Sequence, residues 1–168
     1  MAESTLTKRA LSTSFRTLLN EKPFSKISIG DICEKCDMNR KSFYYHYKDK
    51  YDLANSIFDT DFPFLEYEAN GSGDNTLLGL CKYLYLNRAF YRRLLEAEGQ
   101  NSFYDHLRTR LRFYFYNRLS NHSSFSSGFW ADAVAFSIKE WLTEKKTVDY
   151  NVFHKQLISC IRIDNRFS

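Results

Sequence analysis

Between residues 39 and 50 the chain reads Asn39-Arg40-Lys41-Ser42-Phe43-Tyr44-Tyr45-His46-Tyr47-Lys48-Asp49-Lys50. On a helix started by Asn39, a good N-cap residue, the first turn exposes Arg40, Lys41 and Ser42. Cation and hydroxyl donors in that place suit base edges in a major groove. Tyr44 and Tyr45 can add phosphate hydrogen bonds and ring contacts with thymine methyls. His46 and Lys50 lie toward the backbone, where they supply position rather than sequence information. Upstream, Ser28 opens another short helix and can donate to a phosphate through its hydroxyl and the helix dipole. Phe43 and Tyr47 are expected to be core packing.

Other chemistry is poorly served. Cys33-Glu34-Lys35-Cys36 is formally a C-x-x-C, but zinc needs two more ligands, and Cys81 and Cys160 stand alone. A redox role needs a strand-to-helix context, whereas this pair lies across a short helix. Unpaired thiols are ordinary in a reducing cytosol. His106, His122 and His154 fall on different helices or loops, with no two at metal-binding spacing. Glu96 and Glu98 stand at i, i+2 and point to different sides of a helix. Neither a phosphate-binding glycine loop nor a nucleophile elbow occurs. Arg108-Thr109-Arg110-Leu111-Arg112 is most simply a solvated helix face, though it could meet an acidic partner. The expectation is a protein with no catalytic residues, cofactor or metal.

The elements that must position residues 28–50 are helical. Leu11, Phe15, Leu18 and Leu19 stand at i, i+4, i+7 and i+8 of a helix from about Thr5 to Asn20, which Pro23 ends. Ser28 caps a short helix with Asp31 three residues on; it stops near Asp37, and a third starts at Asn39. A fourth, from about Asp49, carries Leu53, Ile57 and Phe58. That is a helix-turn-helix layout. Residues 1–50 hold 10 Lys and Arg against 6 Asp and Glu, and residues 51–168 hold 14 against 14, so the whole surplus of +4 lies in the head. A basic head on a neutral body suggests a polyanion partner. Aromatic residues make up 17%, so packed surfaces must be built largely from rings. No apolar run approaches the ~20 residues of a bilayer span, and the N-terminus lacks a signal-peptide pattern, which points to the cytoplasm.

Beyond a loop at Ala69–Asp74 the pattern stays helical: 77–86, 89–96, a long amphipathic helix over 103–119, a loop at Asn121–Ser124, 129–142 and 150–163. The expected fold is all-α, with about nine helices. The helix over 129–142 is apolar on more than one face and needs burial on most sides. Paired with the last helix and with a second copy, it would form a four-helix dimer interface through Trp130, Val134, Ile138, Trp141, Phe153, Leu157 and Ile161. Tyr83, Phe90, Leu94, Phe103, Leu107, Leu111 and Phe115 line an effector pocket or fill the core.

The run from Ser28 to Lys50 resembles the DNA-binding domain of the TetR family of transcriptional regulators, over roughly residues 5–55. The most specific stretch is Phe43-Tyr44-Tyr45-His46-Tyr47-Lys48-Asp49-Lys50 through Leu53. The resemblance implies phosphate contacts at Ser28, Tyr44, His46 and Lys50, and base contacts at Arg40, Lys41, Ser42 and Tyr45. It implies a DNA-binding domain over 1–50 and a helical effector-binding and dimerisation domain over 51–168. Three positions depart from the family pattern: Asp37 where glycine is usual, Cys33 in place of a small alanine, and Gly30 where some members carry a basic or hydroxyl residue for DNA. The last fifty residues resemble a variant seen in regulators near dihydroxyacetone-kinase operons.

A homodimeric repressor on a near-palindromic operator follows as the expectation, its heads ~34–36 Å apart or a multiple of that. It would be released by an apolar or aromatic effector. An activator controlled by a partner protein, or a helical interaction module that has lost DNA binding, are the alternatives.

Overall fold

The computed structural model describes residues 2–64, 73–97, 99, 101–118 and 123–164. Among them are nine helices and no strand: α1 Ala2–Glu21, α2 Ile29–Lys35, α3 Arg40–His46, α4 Lys50–Asp61, α5 Gly73–Leu86, α6 Arg88–Leu95, α7 Phe103–Arg118, α8 Ser124–Thr143 and α9 Tyr150–Asp164. None of them is long and apolar enough to cross a membrane.

Local side chains start and stop the head helices. α1 ends two residues before Pro23, and a 3-10 turn at Phe24–Lys26 turns Phe24 and Ile27 into the core. At α2 the Asp31 N–H donates to Ser28 Oγ (3.1 Å) and the Ser28 N–H returns a bond to Asp31 Oδ2 (2.8 Å), a reciprocal capping box. Lys22 Nζ reaches the same carboxylate at 2.8 Å, and with the Ser28 bonds it holds Asp31 down at about 2. Asn39 Oδ1 accepts from the Ser42 N–H at 2.8 Å, and Asp49 Oδ1 from Tyr51 and Asp52 at 2.7 and 2.9 Å.

Leu11, Phe15, Ile32, Phe43 and Leu53 have no exposed surface and knit α1 to α2, α3 and α4. In the body, α7 and α8 share the most extensive contact. They run antiparallel, since Arg112 donates to Ser124 Oγ, Arg108 pairs with Asp132, and the Lys139 ammonium lies over the Tyr104 ring. Arg110 and His106 both bond Asp59 of α4. Burial pushes the Asp59 carboxyl up, but these two partners outweigh it and hold it below its ordinary value. The Arg108–Arg112 stretch therefore ties α7 to α4 and α8 and is not simply solvated.

α9 docks on α5 and α8, with the Trp141 and Phe153 rings stacked at 4.1 Å and Trp141 Nε1 donating to the Val148 carbonyl at 2.9 Å. Several boundaries differ from expectation. Gly73 and Asp74 already belong to α5, while residues 69–72 lie outside the described residues, as do Glu98, Leu119, Asn121 and His122. Ser123 caps α8 through the Ser126 N–H, so that helix begins well before Phe129.

Head and body meet on α4 and where α1 packs on α6, with the Phe15 ring edge-on to Phe90 at 6.0 Å and Arg93 donating to the Leu19 carbonyl. The Phe58 ring has centroids of Phe103 at 5.2 Å, Tyr91 at 5.9 Å and Tyr83 at 6.2 Å around it. Asp61 pairs with Arg16 of α1 and accepts from Tyr83 Oη at 3.0 Å; Tyr83 in turn hydrogen-bonds the fully buried Tyr91. Burial pushes both phenols up, Tyr83 to about 12, so both remain neutral donors. Phe58→Ala should cost about 3–5 kcal/mol in urea unfolding, whereas Tyr44→Ala, on the exposed face of α3, should leave the midpoint in place.

Candidate nucleic-acid interface

α2 and α3 are joined by Cys36, Asp37, Met38 and Asn39, and the path of the chain between them depends on one left-handed residue. Asp37 has φ 54°, and around it the Met38 N–H bonds the Cys33 carbonyl (2.9 Å) and the Asp37 N–H the Glu34 carbonyl (3.2 Å). This is a Schellman ending, usually made by glycine. Aspartate tolerates that backbone better than most residues, so the turn is kept without the usual glycine. Cys33 is buried where a small side chain is needed. Burial pushes its thiol up, so it is no thiolate, and all four cysteines are free. Among the described residues no three metal-ligating side chains come together.

With Phe43 and Tyr47 buried, the opposite face of α3 is turned outward. Arg40 and Lys41 are exposed, Tyr44 is 57% exposed and Tyr45 82%. Ser42 and His46 are half-buried at the edges of that face; Ser42 Oγ lies 3.2 Å from its cap Asn39, and the His46 ring stands edge-on to Tyr45 at 4.9 Å. Tyr44 and Tyr45 touch Phe43 and His46 only edge-on and keep most of their surface in water, so their place beside Arg40 and Lys41 is informative. Ser28 is exposed too, and its Oγ accepts from α2, which leaves the hydroxyl hydrogen to donate outward.

A hollow of about 470 Å³ lies beside α3, lined by Asn39, Lys41, Ser42, Tyr45 and His46 and by Ser4 and Thr7 of α1. Ser4 and Thr7 were missed in the sequence. They are hydroxyls at i, i+3 in the first turns of α1, a spacing that could have marked them.

Lys50 is placed differently from the phosphate contact expected of it. Its ammonium donates to the carbonyls of Phe24 (2.8 Å) and Ile27 (2.9 Å) and lies 4.4 Å over the Phe24 ring. Burial pushes its pKa down. Lys50 thus ties the start of α4 to the turn after α1.

The other two sets of residues are distributed by packing. Phe90, Leu94, Phe103, Leu107, Leu111 and Phe115 are buried in the core, and Tyr83 is held by Asp61 and Tyr91. A cleft of about 770 Å³ lies instead between head and body, lined by Pro23, Phe24, Ser25, Tyr51, Ala89, Arg92, Arg93, Glu96 and Ala97. Of the seven side chains expected at a dimer interface, Val134, Ile138, Trp141, Phe153 and Leu157 are buried within the single chain, and Trp130 and Ile161 are half-buried. Intrachain packing satisfies most of that stripe. The apolar surface α8 leaves uncovered is Phe125, Phe129 and Phe136, 58–81% exposed at i, i+4 and i+11 on one face.

Comparison with known proteins adds two family profiles. One described as "Bacterial regulatory proteins, tetR family" matches residues 13–57, and one described as "Transcriptional regulator C-terminal region" matches residues 74–162. The HTH-type dhaKLM operon transcriptional activator DhaS of Lactococcus lactis subsp. lactis (strain IL1403) is 29% identical over 99 residues, 56% of this chain and 51% of that protein, so the match spans about half the length of that relative. Among solved structures, a TetR transcriptional regulator from Streptococcus agalactiae 2603V superposes with a TM-score of 0.74 at 21% identity, over 95% of this chain and 96% of that one. A structure described as the dihydroxyacetone kinase operon activator DhaS gives 0.65 at 21% identity, over 95% and 98%. NalD of Pseudomonas aeruginosa, the secondary repressor of the MexAB-OprM multidrug efflux pump, gives 0.63 at 17% identity, over 93% and 94%. At these identities the structural likeness shows the fold.

Because Lys50 serves two carbonyls, Lys50→Met should lower stability by about 1–3 kcal/mol in urea unfolding, the cost of leaving acceptors without a charged donor.

Proposed function

The chain belongs to the TetR family of bacterial regulatory proteins, and from that premise we propose that it binds a near-palindromic duplex operator as a homodimer. It is a transcription regulator and not an enzyme. The observation that carries the operator reading is the outward face of α3, where Lys41, Tyr44 and Tyr45 stand clear of the core on a two-helix unit fixed by capping at both ends. Lysine and tyrosine in that setting suit phosphates and base edges. Arg40, Ser42, His46 and Ser28 flank the face. In this reading residues 1–50 are the DNA-binding domain and 51–168 the regulatory one.

The dimer reading rests on α8. Phe125, Phe129 and Phe136 make an apolar row on its outer face, and Val152 of α9 is also exposed. A two-fold copy would cover the row and set two α3 helices ~34–36 Å apart, or a multiple of that.

Two signs of control are open to such a dimer. Repression relieved by a small apolar or aromatic effector seated among the expected pocket residues requires the filled core of α5, α6 and α7 to open around Leu107 and Phe115. Activation governed by a partner protein requires no cavity, and the likeness to an operon activator favours activation as the sign of control.

The test is a mobility-shift assay on the DNA upstream of the gene. Lys41→Ala with Tyr45→Ala should weaken binding about tenfold or more without moving the melting temperature; unchanged binding would falsify the assignment of α3. Phe136→Glu should shift sedimentation toward monomer and weaken operator binding with it; a variant that stays dimeric removes α8 from the interface. A reporter driven by the bound promoter then separates repression from activation.

A further inference from the structure

Gly30 sits inside α2 with ordinary helical backbone, so neither a turn nor a left-handed conformation calls for glycine there. Glycine is unfavourable in a helix relative to alanine. What the missing side chain leaves is room, and Arg40 fills it. A Cβ built at Gly30 would stand 2.8 Å from Arg40 Nη2 and 3.6 Å from its Cζ, with Ser28 Oγ at 3.4 Å. The guanidinium of the first residue of α3 is thus folded back over the first turn of α2, beside the Ser28 hydroxyl. Two further observations agree. The charge of Arg40 reaches the Cys33 thiol, one turn along α2, and opposes the effect of its burial. The hollow beside α3 is lined by Lys41, Ser42, Tyr45 and His46 and does not include Arg40, which lies on the other flank.

We propose that Gly30 is a positioning residue which turns Arg40 away from the base edges and onto the DNA phosphate that Ser28 meets. The inference rests on the operator reading above and reassigns Arg40 from sequence reading to backbone contact. A guanidinium is suited to that place because it offers parallel donors to a phosphate. The nearby Asp31 carboxylate does not oppose it, being neutralised by Lys22 at 2.8 Å. Phosphate contacts carry salt dependence and no sequence information, so the assignment can be tested without a known operator.

The probe is a random-sequence duplex, bound in an anisotropy titration over a series of KCl concentrations. The parent is compared with Gly30→Ala, Arg40→Ala and the double variant. Arg40→Ala should weaken binding about five- to tenfold at moderate salt and lower the salt slope by about one. Gly30→Ala should move both quantities in the same direction while its melting temperature stays level or rises, because the obstacle it meets is the end of a flexible side chain and alanine favours the helix. The double variant should be no weaker than Arg40→Ala alone. Equal binding by the parent and Gly30→Ala overturns the proposal. So does an Arg40→Ala variant that keeps its salt slope yet loses preference at one base pair in a selection from randomised duplexes. Absence of binding by the folded parent at low salt overturns the operator reading itself, and the two failures are told apart by the parent alone.

Discussion

One helix is asked to belong to two cores. α4 closes the head with the buried Leu53, and five residues later Phe58 enters the body. Phe58 is ringed by side chains from α5, α6 and α7, so no rotation of α4 leaves the body packing unchanged. The polar groups on the same helix follow the same plan. Asp59 is gripped by His106 and Arg110 from α7, while Asp61 is shared between Arg16 of the head and Tyr83 of the body. A change in body packing must therefore be felt at α1, and the position of α3 relative to the body depends on these contacts together with the direct packing of α1 on α6. Coupling between the two parts has this physical route beside the α1–α6 contact.

The head is built to be stiff by a different means. α2 and α3 each have only seven residues, too short to be stable alone. Reciprocal bonds between Ser28 and Asp31, the Asn39 cap and the Schellman turn at Asp37 satisfy their ends. Lys50 binds two carbonyls of the turn after α1, adding to the Ile27 N–H that the Phe24 carbonyl already accepts. The result is a surface of long side chains on a backbone with little freedom, as recognition by a protruding helix requires.

The local devices were legible in the sequence because their partners are two to four residues apart. Ser28 with Asp31, Asn39 and Asp49 announce helix starts, and Asp37 announces a turn, whatever the rest of the chain does. The stripe of α1 and that of Phe103, Leu107, Leu111 and Phe115 in α7 likewise identify what is buried. Periodicity does not say against what. Trp141 and Val134 stand on a helix apolar on most sides, and only the positions of α5, α7 and α9 show that they face inward while Phe129 and Phe136 face out. Lys50 shows the same limit for a charge: its spacing fits a phosphate contact, but the carbonyls of Phe24 and Ile27, more than twenty residues away in sequence, claim it. Ser4 and Thr7 lie beside α3 only because α1 packs across it.

Both tryptophans of the chain, Trp130 and Trp141, lie on α8, and the head has none. Trp141 is stacked on Phe153 and bonded through its indole nitrogen, and Trp130 leans on Phe129 and Phe115. Indole emission therefore reports the body alone, with α8 as its antenna, while far-ultraviolet ellipticity sums over all the helices. The molecule carries an optical label that separates its two halves without any chemistry being added. Whether its two signals fade together on heating is a direct reading of how firmly α4 and the α1–α6 contact make the halves one cooperative unit.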